Sequence, residues 1–173
     1  MNRRSLLKGL ALLPALPLAG HSSLSLAEAI ANAPSVVALD KPHSAWREQL
    51  SAEAYAVLFE EDTEAPGSSP LNQEKRSGTY ICAACYLPLF ASQHKYESGT
   101  GWPSFTQPIA GHIGTKRDAR LFFLRTEYHC ARCGGHQGHV FDDGPKPRSE
   151  RWCNNGVALR FIAEGETLPE LRS

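Results

Sequence analysis

The chain has 173 residues, a length that is typical of a single domain. It carries 18 basic and 18 acidic residues, and this balance gives no reason to expect nucleic acid or another polyanion as a partner. Apolar residues make up 42% of the sequence, which is sufficient for a hydrophobic core.

The N-terminal segment, residues 1–33, is typical of an export signal. Arg3 and Arg4 precede an uncharged run, residues 9–27, whose leading part is strongly apolar. Small-residue cleavage sites follow at Ala27-Glu28-Ala29 and Ala31-Asn32-Ala33. A charged start, an apolar middle and a small-residue end indicate a secretory signal, and the paired arginines make it a twin-arginine signal. We therefore expect the protein to be exported to the periplasm.

A membrane anchor is the alternative interpretation of the same segment. Its strongly apolar part, residues 9–19, is shorter than the roughly 20 residues that a membrane span needs. Pro14 and Pro17 also interrupt it. We therefore expect no stable membrane span.

The predicted domain, residues 41–165, begins with helix and continues as short strands. Apolar residues at near-helical spacing over Lys41–Glu61 predict one or two helices, with Ser44 as the N-cap. From Ser77 onward, short aromatic and β-branched runs broken by Gly, Pro, Asp and Asn indicate antiparallel β-structure. The predicted strands are Gly78–Ile81, Pro88–Phe90, Ala119–Thr126 and Val157–Ile162, with loops at Ala65–Pro70 and Ser98–Phe105. The polar tail after Glu164 is expected to contribute little.

Four of the five cysteines form two CxxC pairs. The pairs are Cys82 with Cys85 and Cys130 with Cys133, separated by the 44 residues 86–129. Each CxxC turn supplies two thiolates, so the two pairs complete a tetrahedral zinc shell. Because such a closed shell has no open coordination position, we predict one zinc ion with a structural role. The competing interpretation is a redox CxxC as in thioredoxin-like proteins, but the βαβ context that it requires is absent.

Cys153 is the one cysteine without a partner nearby in the sequence. An odd cysteine in an exported protein is a candidate reactive thiol. Free cysteine is also often a small buried hydrophobe, and this stretch alone leaves both interpretations open. A reactive thiol needs a lowered pKa, which Arg151 or a protonated histidine could supply.

Two histidines, His136 and His139, lie in a glycine-rich stretch before the fifth cysteine. A histidine that titrates near neutrality can give a proton to a leaving oxygen. Asp143 could orient a histidine or an arginine, Asn155 could hold a polar substrate atom, and Trp102 could wall an apolar pocket around a methyl group. Together with a thiolate, these groups suit attack on an electrophilic sulfur or carbonyl.

These stretches, taken together, resemble the methionine-R-sulfoxide reductase B family. The matching stretches are the two CxxC pairs, Ser98–Phe105 (SGTGWPSF), His136–Pro145 (HQGHVFDDGP) and Arg151–Asn155 (RWCNN). They lie in the family's order between about Ser77 and Ile162. The resemblance implies a mainly β domain of two antiparallel sheets, with zinc between the CxxC turns and a short helical segment before them.

The resemblance also implies the role of each candidate site residue. Cys153 matches the nucleophile that attacks the sulfoxide sulfur and is left as a sulfenic acid. His136 and His139 match the histidines that assist protonation and substrate placement. The positions that order the site, bind the sulfoxide or wall the methyl pocket are matched by Asp143, Arg151, Asn155 and Trp102. The implied substrates are methionine-R-sulfoxide residues of oxidised proteins, and possible use of the free amino acid is left open.

Two departures from the family pattern bear on this expectation. Many members carry a resolving cysteine where this chain has Thr100, so we expect an external thiol reductant, whether thioredoxin-like, glutaredoxin-like or a periplasmic thiol protein. Gly156 and Val157 replace the small hydroxyl residue and alanine that are more usual after the catalytic stretch, and Gly156 is expected to loosen that turn. The alternative function is a non-catalytic, zinc-stapled β-domain that binds a peptide or a small ligand.

Overall fold

The computed structural model of the protein describes residues 36–119 and 124–173. The expected export signal, residues 1–33, lies outside the described residues. No helix in the described part of the chain combines the length and apolar character needed to cross a membrane.

Within residues 36–119 and 124–173, helical structure is confined to the first part of the domain and to short turns. A 3₁₀ helix, His43–Gln49, is followed by helix α1, Ala52–Glu60, in which Ser51 accepts a hydrogen bond from the Ala54 N–H as N-cap. The prediction that Ser44 caps a helix was wrong, because Ser44 lies inside the 3₁₀ helix and Pro42 precedes it. Further 3₁₀ turns span Pro70–Gln73, Ser92–His94 and Gly156–Ala158.

The described strands form two antiparallel sheets, which confirms the mainly β fold class. The smaller sheet has the order β2-β1-β9, with β1 at Gly78–Cys82, β2 at Pro88–Ala91 and β9 at Leu159–Ala163. The larger sheet has the order β3-β4-β8-β7-β6-β5. Its strands are β3 (Lys95–Tyr96), β4 (Ser104–Phe105), β5 (Ile113–Asp118), β6 (Arg125–Cys130), β7 (His136–Phe141) and β8 (Arg151–Asn154).

Strand boundaries differ from the sequence prediction at several places. Strands β1 and β2 each end one residue later than predicted, at Cys82 and Ala91, and the predicted loop Ser98–Phe105 contains β4. The strand predicted over Ala119–Thr126 is β6, which begins at Arg125; residues 120–123 lie outside the described residues. The strand predicted from Val157 begins at Leu159, because the chain first makes a 3₁₀ turn. Short strand ends next to turns carry weak propensity signals, so an error of a few residues is expected there.

Aromatic side chains fill the core between the sheets. Phe90 and Phe105 stack at a centroid separation of 4.1 Å, and Tyr80 meets Phe105 edge to face at 5.0 Å. Tyr128 packs edge-on against Trp152 at 5.1 Å. The pairs that Phe90 and Tyr80 make with Phe105 join the two sheets, so they fix how the sheets sit on each other.

The C-terminal tail contributes more than its polar composition predicted. The Arg172 N–H donates to the Cys85 carbonyl at 3.1 Å, and the Arg172 guanidinium lies over the Tyr86 ring at 4.1 Å. Arg132 donates to the Arg172 carbonyl. The tail therefore ties the turns of both CxxC pairs together.

Candidate active site and metal centre

The two CxxC pairs meet as two similar turns. In the first turn the Tyr86 N–H donates to the Cys82 carbonyl, and in the second the Gly134 N–H donates to the Cys130 carbonyl. Tyr86 and Gly134 both have positive φ, 64° and 73°, so each turn closes through a left-handed residue four positions after its first cysteine. The matching geometry brings the four side chains to a common point.

The sulfurs of Cys82, Cys85, Cys130 and Cys133 all lie within 4.8 Å of one another and are buried. The separation is 3.6 Å between Cys82 and Cys133 and 3.5 Å between Cys85 and Cys130. Four thiolates at about 2.3 Å from a tetrahedral zinc ion would lie about 3.8 Å apart, so the cluster fits this ion. The predicted ligand set is thus brought together as a site suitable for one zinc ion.

The sulfurs of the cluster are close enough to share protons. Hydrogen bonding to Cys130 raises the pKa of both Cys82 and Cys133 and lowers the pKa of Cys85. A divalent cation would replace those protons and leave four thiolates. The donor set is therefore one that a thiophilic ion can complete without rearranging the fold.

Cys153 lies in the middle of a line of side chains that crosses the larger sheet. Directly paired strand residues present their side chains on the same face of a sheet. The successive pairs define a cross-sheet row, one residue from each strand: Lys116, Glu127, His139, Cys153, Ser104 and Tyr96. The row places His139 on one side of the thiol and a hydroxyl on the other.

Cys153 opens into a small cavity of about 130 Å³. Trp102, His139 and Asn155 line the cavity with it. Each of these three residues was a candidate from the sequence, and strand pairing brings them together from positions far apart in the chain. The remaining lining residues are Thr63, Arg125, Gly138, Phe141 and Asn154.

The expected lowering of the Cys153 pKa was wrong for the free protein. Burial raises the pKa of Cys153 above its usual value, although Arg151 and hydrogen bonds from Thr100 and Ser104 act in the opposite direction. Ser98 links these two hydroxyls, at 2.9 Å from the Thr100 oxygen and 2.8 Å from the Ser104 oxygen. The sulfur therefore rests mainly as a thiol within a cradle of hydroxyl groups.

Asp143 orients Arg151 and not a histidine. The Arg151 guanidinium donates to both Asp143 oxygens, at 2.7 and 2.9 Å, and lies over the Phe141 ring at 4.3 Å. This bidentate pair lowers the pKa of Asp143. Because the carboxylate offsets part of the Arg151 charge, the attraction between this charge and the Cys153 thiolate does not overcome the effect of burial.

A β-bulge brings His136 and His139 to one face. Residues three apart on a regular strand point to opposite faces, but the register of β7 slips at Gln137. The two imidazole centroids are 5.4 Å apart as a result. Only His139 lines the cavity; His136 is buried behind it, with Nδ1 3.0 Å from Glu127 Oε1.

Asp118 is the carboxylate that holds His139. His139 Nε2 lies 2.8 Å from Asp118 Oδ2, which also accepts a 2.7 Å hydrogen bond from Arg125. Burial lowers the pKa of His139, and its hydrogen bond to Asp118 partly restores it. The imidazole is therefore mainly neutral at pH 7, with Nε2–H donated to the carboxylate and Nδ1 left as a proton acceptor.

Three residues of the site were not singled out from the sequence: Asp118, Glu64 and Gln137. Gln137 is fully buried; its Nε2 donates to the Cys82 sulfur at 3.6 Å, and its Oε1 accepts from Asn154 at 3.3 Å. The Asn155 amide donates to the Gln137 carbonyl at 3.1 Å. Gln137 thus connects the metal centre to the strand that carries Cys153, and it is recognisable only after the bulge turns it inward.

The fold and the site together define the class of the protein. It is a mainly β domain that has a four-cysteine site suited to a metal ion and, separately, a thiol that opens into a small cavity. The SelR domain family matches residues 50–163 of the chain. The peptide methionine sulfoxide reductase MsrB of Bradyrhizobium diazoefficiens is 49% identical over 122 residues, covering 70% of this chain and 88% of that protein. The protein of the same name from Caulobacter vibrioides is 47% identical over 137 residues, covering 76% of this chain and 86% of that protein.

A third relative, MsrB of Xylella fastidiosa, is 48% identical over 122 residues, which cover 70% of this chain and 79% of that protein. The matched region contains both CxxC pairs, the cavity and Cys153. The chain belongs to the SelR domain family and is a relative of the MsrB peptide methionine sulfoxide reductases.

Proposed function

We propose that the protein reduces methionine-R-sulfoxide to methionine with Cys153 as the nucleophile. The observation that carries this proposal is the position of Cys153, in a small cavity between an indole wall and a carboxylate-held imidazole. Ligand pockets for drug-sized molecules commonly measure about 300–1,000 Å³. A cavity of about 130 Å³ suits the end of a methionine sulfoxide side chain better.

The reaction transfers one oxygen atom and two electrons. The Cys153 sulfur attacks the sulfoxide sulfur, the oxygen ends on Cys153, and the sulfoxide leaves as the thioether. The net change is sulfoxide plus thiol to thioether plus sulfenic acid, so the substrate gains two electrons and Cys153 loses them. Trp102 forms the apolar wall beside the methyl group, and Asn155 borders the same space.

His139 handles the proton of this exchange. Cys153 and His139 are directly paired on β8 and β7, so their Cβ atoms lie about 4.5–5.5 Å apart. The neutral imidazole accepts the thiol proton as attack begins and returns it to the sulfoxide oxygen as that oxygen becomes basic. Asp118 stabilises the imidazolium that forms in between, and Arg151 stabilises the thiolate.

Zinc, held by the four clustered cysteines, would supply stability and no chemistry, because four thiolates leave no position open for a substrate. The thiolates hold the turns after β1 and β6 together. Gln137 connects these turns to the catalytic strand, because its side chain hydrogen-bonds both to the Cys82 sulfur and to Asn154.

Regeneration requires a thiol from outside the chain. The other four cysteines are buried in the metal centre, and Thr100 occupies the hydrogen-bonding position beside Cys153. Two external thiols reduce the sulfenic acid to a thiol and release water and a disulfide. A thioredoxin-like, glutaredoxin-like or periplasmic thiol protein is the proposed donor, and oxidised proteins are the proposed substrates in a repair role under oxidative stress.

We also propose a periplasmic location, based on the twin-arginine pattern of residues 1–33. An oxidising compartment favours disulfides over zinc thiolates. Loading of the metal before export of the folded chain would protect the four thiols. Isolation of periplasmic protein with zinc bound to the four clustered cysteines, no disulfide and Cys153 as a free thiol would support this order of events. Disulfides within the CxxC pairs, without zinc, would contradict it.

The test of the activity compares wild-type protein with Cys153→Ser on separate R- and S-sulfoxide substrates. Wild-type protein should reduce only the R epimer, and the variant should lose more than about a thousandfold in rate. The variant should keep its zinc, because Cys153 is not among the clustered ligands. Retained activity in the variant would reassign the nucleophile, and an inactive wild-type protein would favour a binding module.

A further inference from the structure

Glu64 lies in the segment after α1 and is almost fully buried, at 4% exposure. Its carboxylate accepts hydrogen bonds from the Gly156 and Val157 N–H groups, at 2.7 and 2.9 Å. These two N–H groups belong to the 3₁₀ turn that follows the catalytic strand β8. One side chain thus holds the turn that begins three residues after Cys153.

The main chain of Glu64 contacts two residues that line the catalytic cavity. Its N–H donates to Asn155 Oδ1 at 3.1 Å, and its carbonyl accepts from Trp102 Nε1 at 3.2 Å. Thr63, the preceding residue, lines the cavity as well. Glu64 is therefore the point at which the indole wall, the Asn155 amide and the catalytic turn are joined.

Burying a carboxylate is unfavourable unless its oxygens are well hydrogen-bonded. Burial raises the pKa of Glu64, and the Gly156 and Val157 N–H groups counteract that rise. The two main-chain bonds are thus what offsets the burial of this group. If this side chain only filled space, an apolar residue in its place would make the protein more stable.

The glycine at position 156 makes room for this arrangement. A Cβ atom there would lie 1.9 Å from Ser69 Oγ and 3.3 Å from Glu64 Oε1, which the packing cannot accommodate. The expectation that Gly156 loosens the turn did not take into account that Glu64 accepts hydrogen bonds from this turn. The hydrogen bonds that the Glu64 carboxylate accepts from the Gly156 and Val157 N–H groups supply the order that a side chain at position 156 would otherwise give.

We propose that Glu64 is a positioning residue for the reductase site, holding the Asn155–Val157 turn and Trp102 in one fixed arrangement around Cys153. This inference rests on the proposed function for its kinetic consequences. Glu64 does not line the cavity, so it acts through the residues that it holds and does not contact the substrate. Its loss should impair substrate placement more than the intrinsic reactivity of the thiol.

Glu64→Gln in the zinc-loaded full chain tests the proposal. An amide keeps one acceptor oxygen but turns an NH₂ group toward the second main-chain N–H, so that N–H loses its acceptor. Hydrogen exchange at Gly156 or Val157 should become at least about tenfold faster, while exchange in β1 stays unchanged. The value of kcat/KM for an R-sulfoxide should fall about tenfold to a hundredfold, mainly through a higher KM.

Glu60→Gln is the matched control, because Glu60 is an acidic residue four positions away whose partner, Arg47, is exposed like Glu60 itself. It should change neither exchange nor kinetics. If Glu64→Gln does not fold, Glu64→Asp carries the same measurements, since it keeps the charge but shortens the reach by one methylene. Unchanged exchange at both turn amides, or equal acceleration throughout β1, would overturn the proposal.

The two readouts separate the failure of this inference from failure of the proposed function. A wild-type protein without activity on either sulfoxide epimer would refute the reductase assignment. Exchange at Gly156 and Val157 would still decide whether Glu64 orders the turn. An active wild-type protein with kinetics that Glu64→Gln leaves unchanged would refute the positioning role alone.

Discussion

The sulfurs of the metal centre and the sulfur of Cys153 differ in what surrounds them. The four clustered sulfurs have one another as close neighbours, at 3.5 and 3.6 Å within the two closest pairs, and they are sealed by the core and the C-terminal tail. Cys153 has hydroxyls, a guanidinium and a cavity around it. The same side chain therefore serves two purposes, because one environment calls for a cation and the other admits a substrate.

The difference lies in how the backbone presents the side chain. The clustered cysteines occupy tight turns at the ends of β1 and β6, where two thiols converge within four residues. Cys153 lies on a strand between two paired neighbours, His139 and Ser104, so its side chain has a fixed direction and one open side. The turns place several thiols close together, whereas the strand holds a single thiol in one direction within the sheet.

The largest effect should come from replacing a ligand of the metal centre. Cys82→Ser removes one thiolate and the acceptor of the Gln137 amide. Structural zinc contributes about 10–16 kcal/mol of apparent binding free energy in small zinc domains, so loss of metal should abolish cooperative unfolding. Zinc analysis and thermal denaturation check this result. A Cys82→Ser protein that folds as stably as Cys153→Ser would remove the distinction between the two environments.

The next largest effect should be a different oxidation product at Cys153, a disulfide in place of a sulfenic acid. Thr100 hydrogen-bonds to the Cys153 sulfur, so Thr100→Cys places a thiol within reach of the sulfenic acid. After one turnover without reductant, the variant should contain a disulfide between the introduced thiol and Cys153, whereas the wild-type protein should contain a sulfenic acid. Mass spectrometry of trapped peptides distinguishes the two. A sulfenic acid that persists in the variant would show that the loop holds position 100 too far from the nucleophile.

The pH dependence of thiol reactivity should separate Cys153 from an ordinary exposed cysteine. Because burial raises the pKa of Cys153 above its usual value, the thiolate fraction and the alkylation rate should still rise steeply between about pH 8 and 9.5, where an ordinary exposed cysteine levels off. Arg151→Met removes the largest of the effects that oppose burial and should slow alkylation further. Rates measured with iodoacetamide on zinc-loaded protein check both. A plateau within this pH interval would contradict the raised pKa.

The smallest effect should come from the link between the two environments. Gln137→Leu fills a similar volume but leaves the Asn154 amide without one acceptor and Cys82 without its donor. We expect a loss of about 1–3 kcal/mol in the free energy of unfolding, with zinc still bound. Denaturant unfolding of the zinc-loaded protein measures it. Unchanged stability would mean that the metal centre and the catalytic strand are energetically independent.

Local sequence patterns were sufficient to predict those features whose residues are close together in the chain. Two CxxC pairs predicted the metal centre, whereas the unpaired Cys153 was predicted as a reactive thiol only together with the histidines and the family resemblance. The short aromatic strands also predicted the fold class. For the metal centre and the fold class the signal lies within a few neighbouring residues, where the rules of turns and strands apply directly.

Residues that act through the tertiary fold could not be predicted in this way. Glu64 reaches Gly156 across 92 positions, and Asp118 reaches His139 across 21. Gln137 turns inward only because of a bulge, which no local pattern announces. The prediction of a lowered Cys153 pKa was wrong for the same reason. The burial that raises this pKa depends on the whole packed domain, and its effect outweighs that of Arg151.

The most direct test of the account is a single turnover of the reduced, zinc-loaded protein with excess methionine-R-sulfoxide and no reductant. One methionine should form per chain, a sulfenic acid should be trapped at Cys153 alone, and zinc should remain bound. Oxidation at Cys82, Cys85, Cys130 or Cys133, with release of zinc during turnover, would contradict the separation of the five sulfurs into a metal centre and one nucleophile.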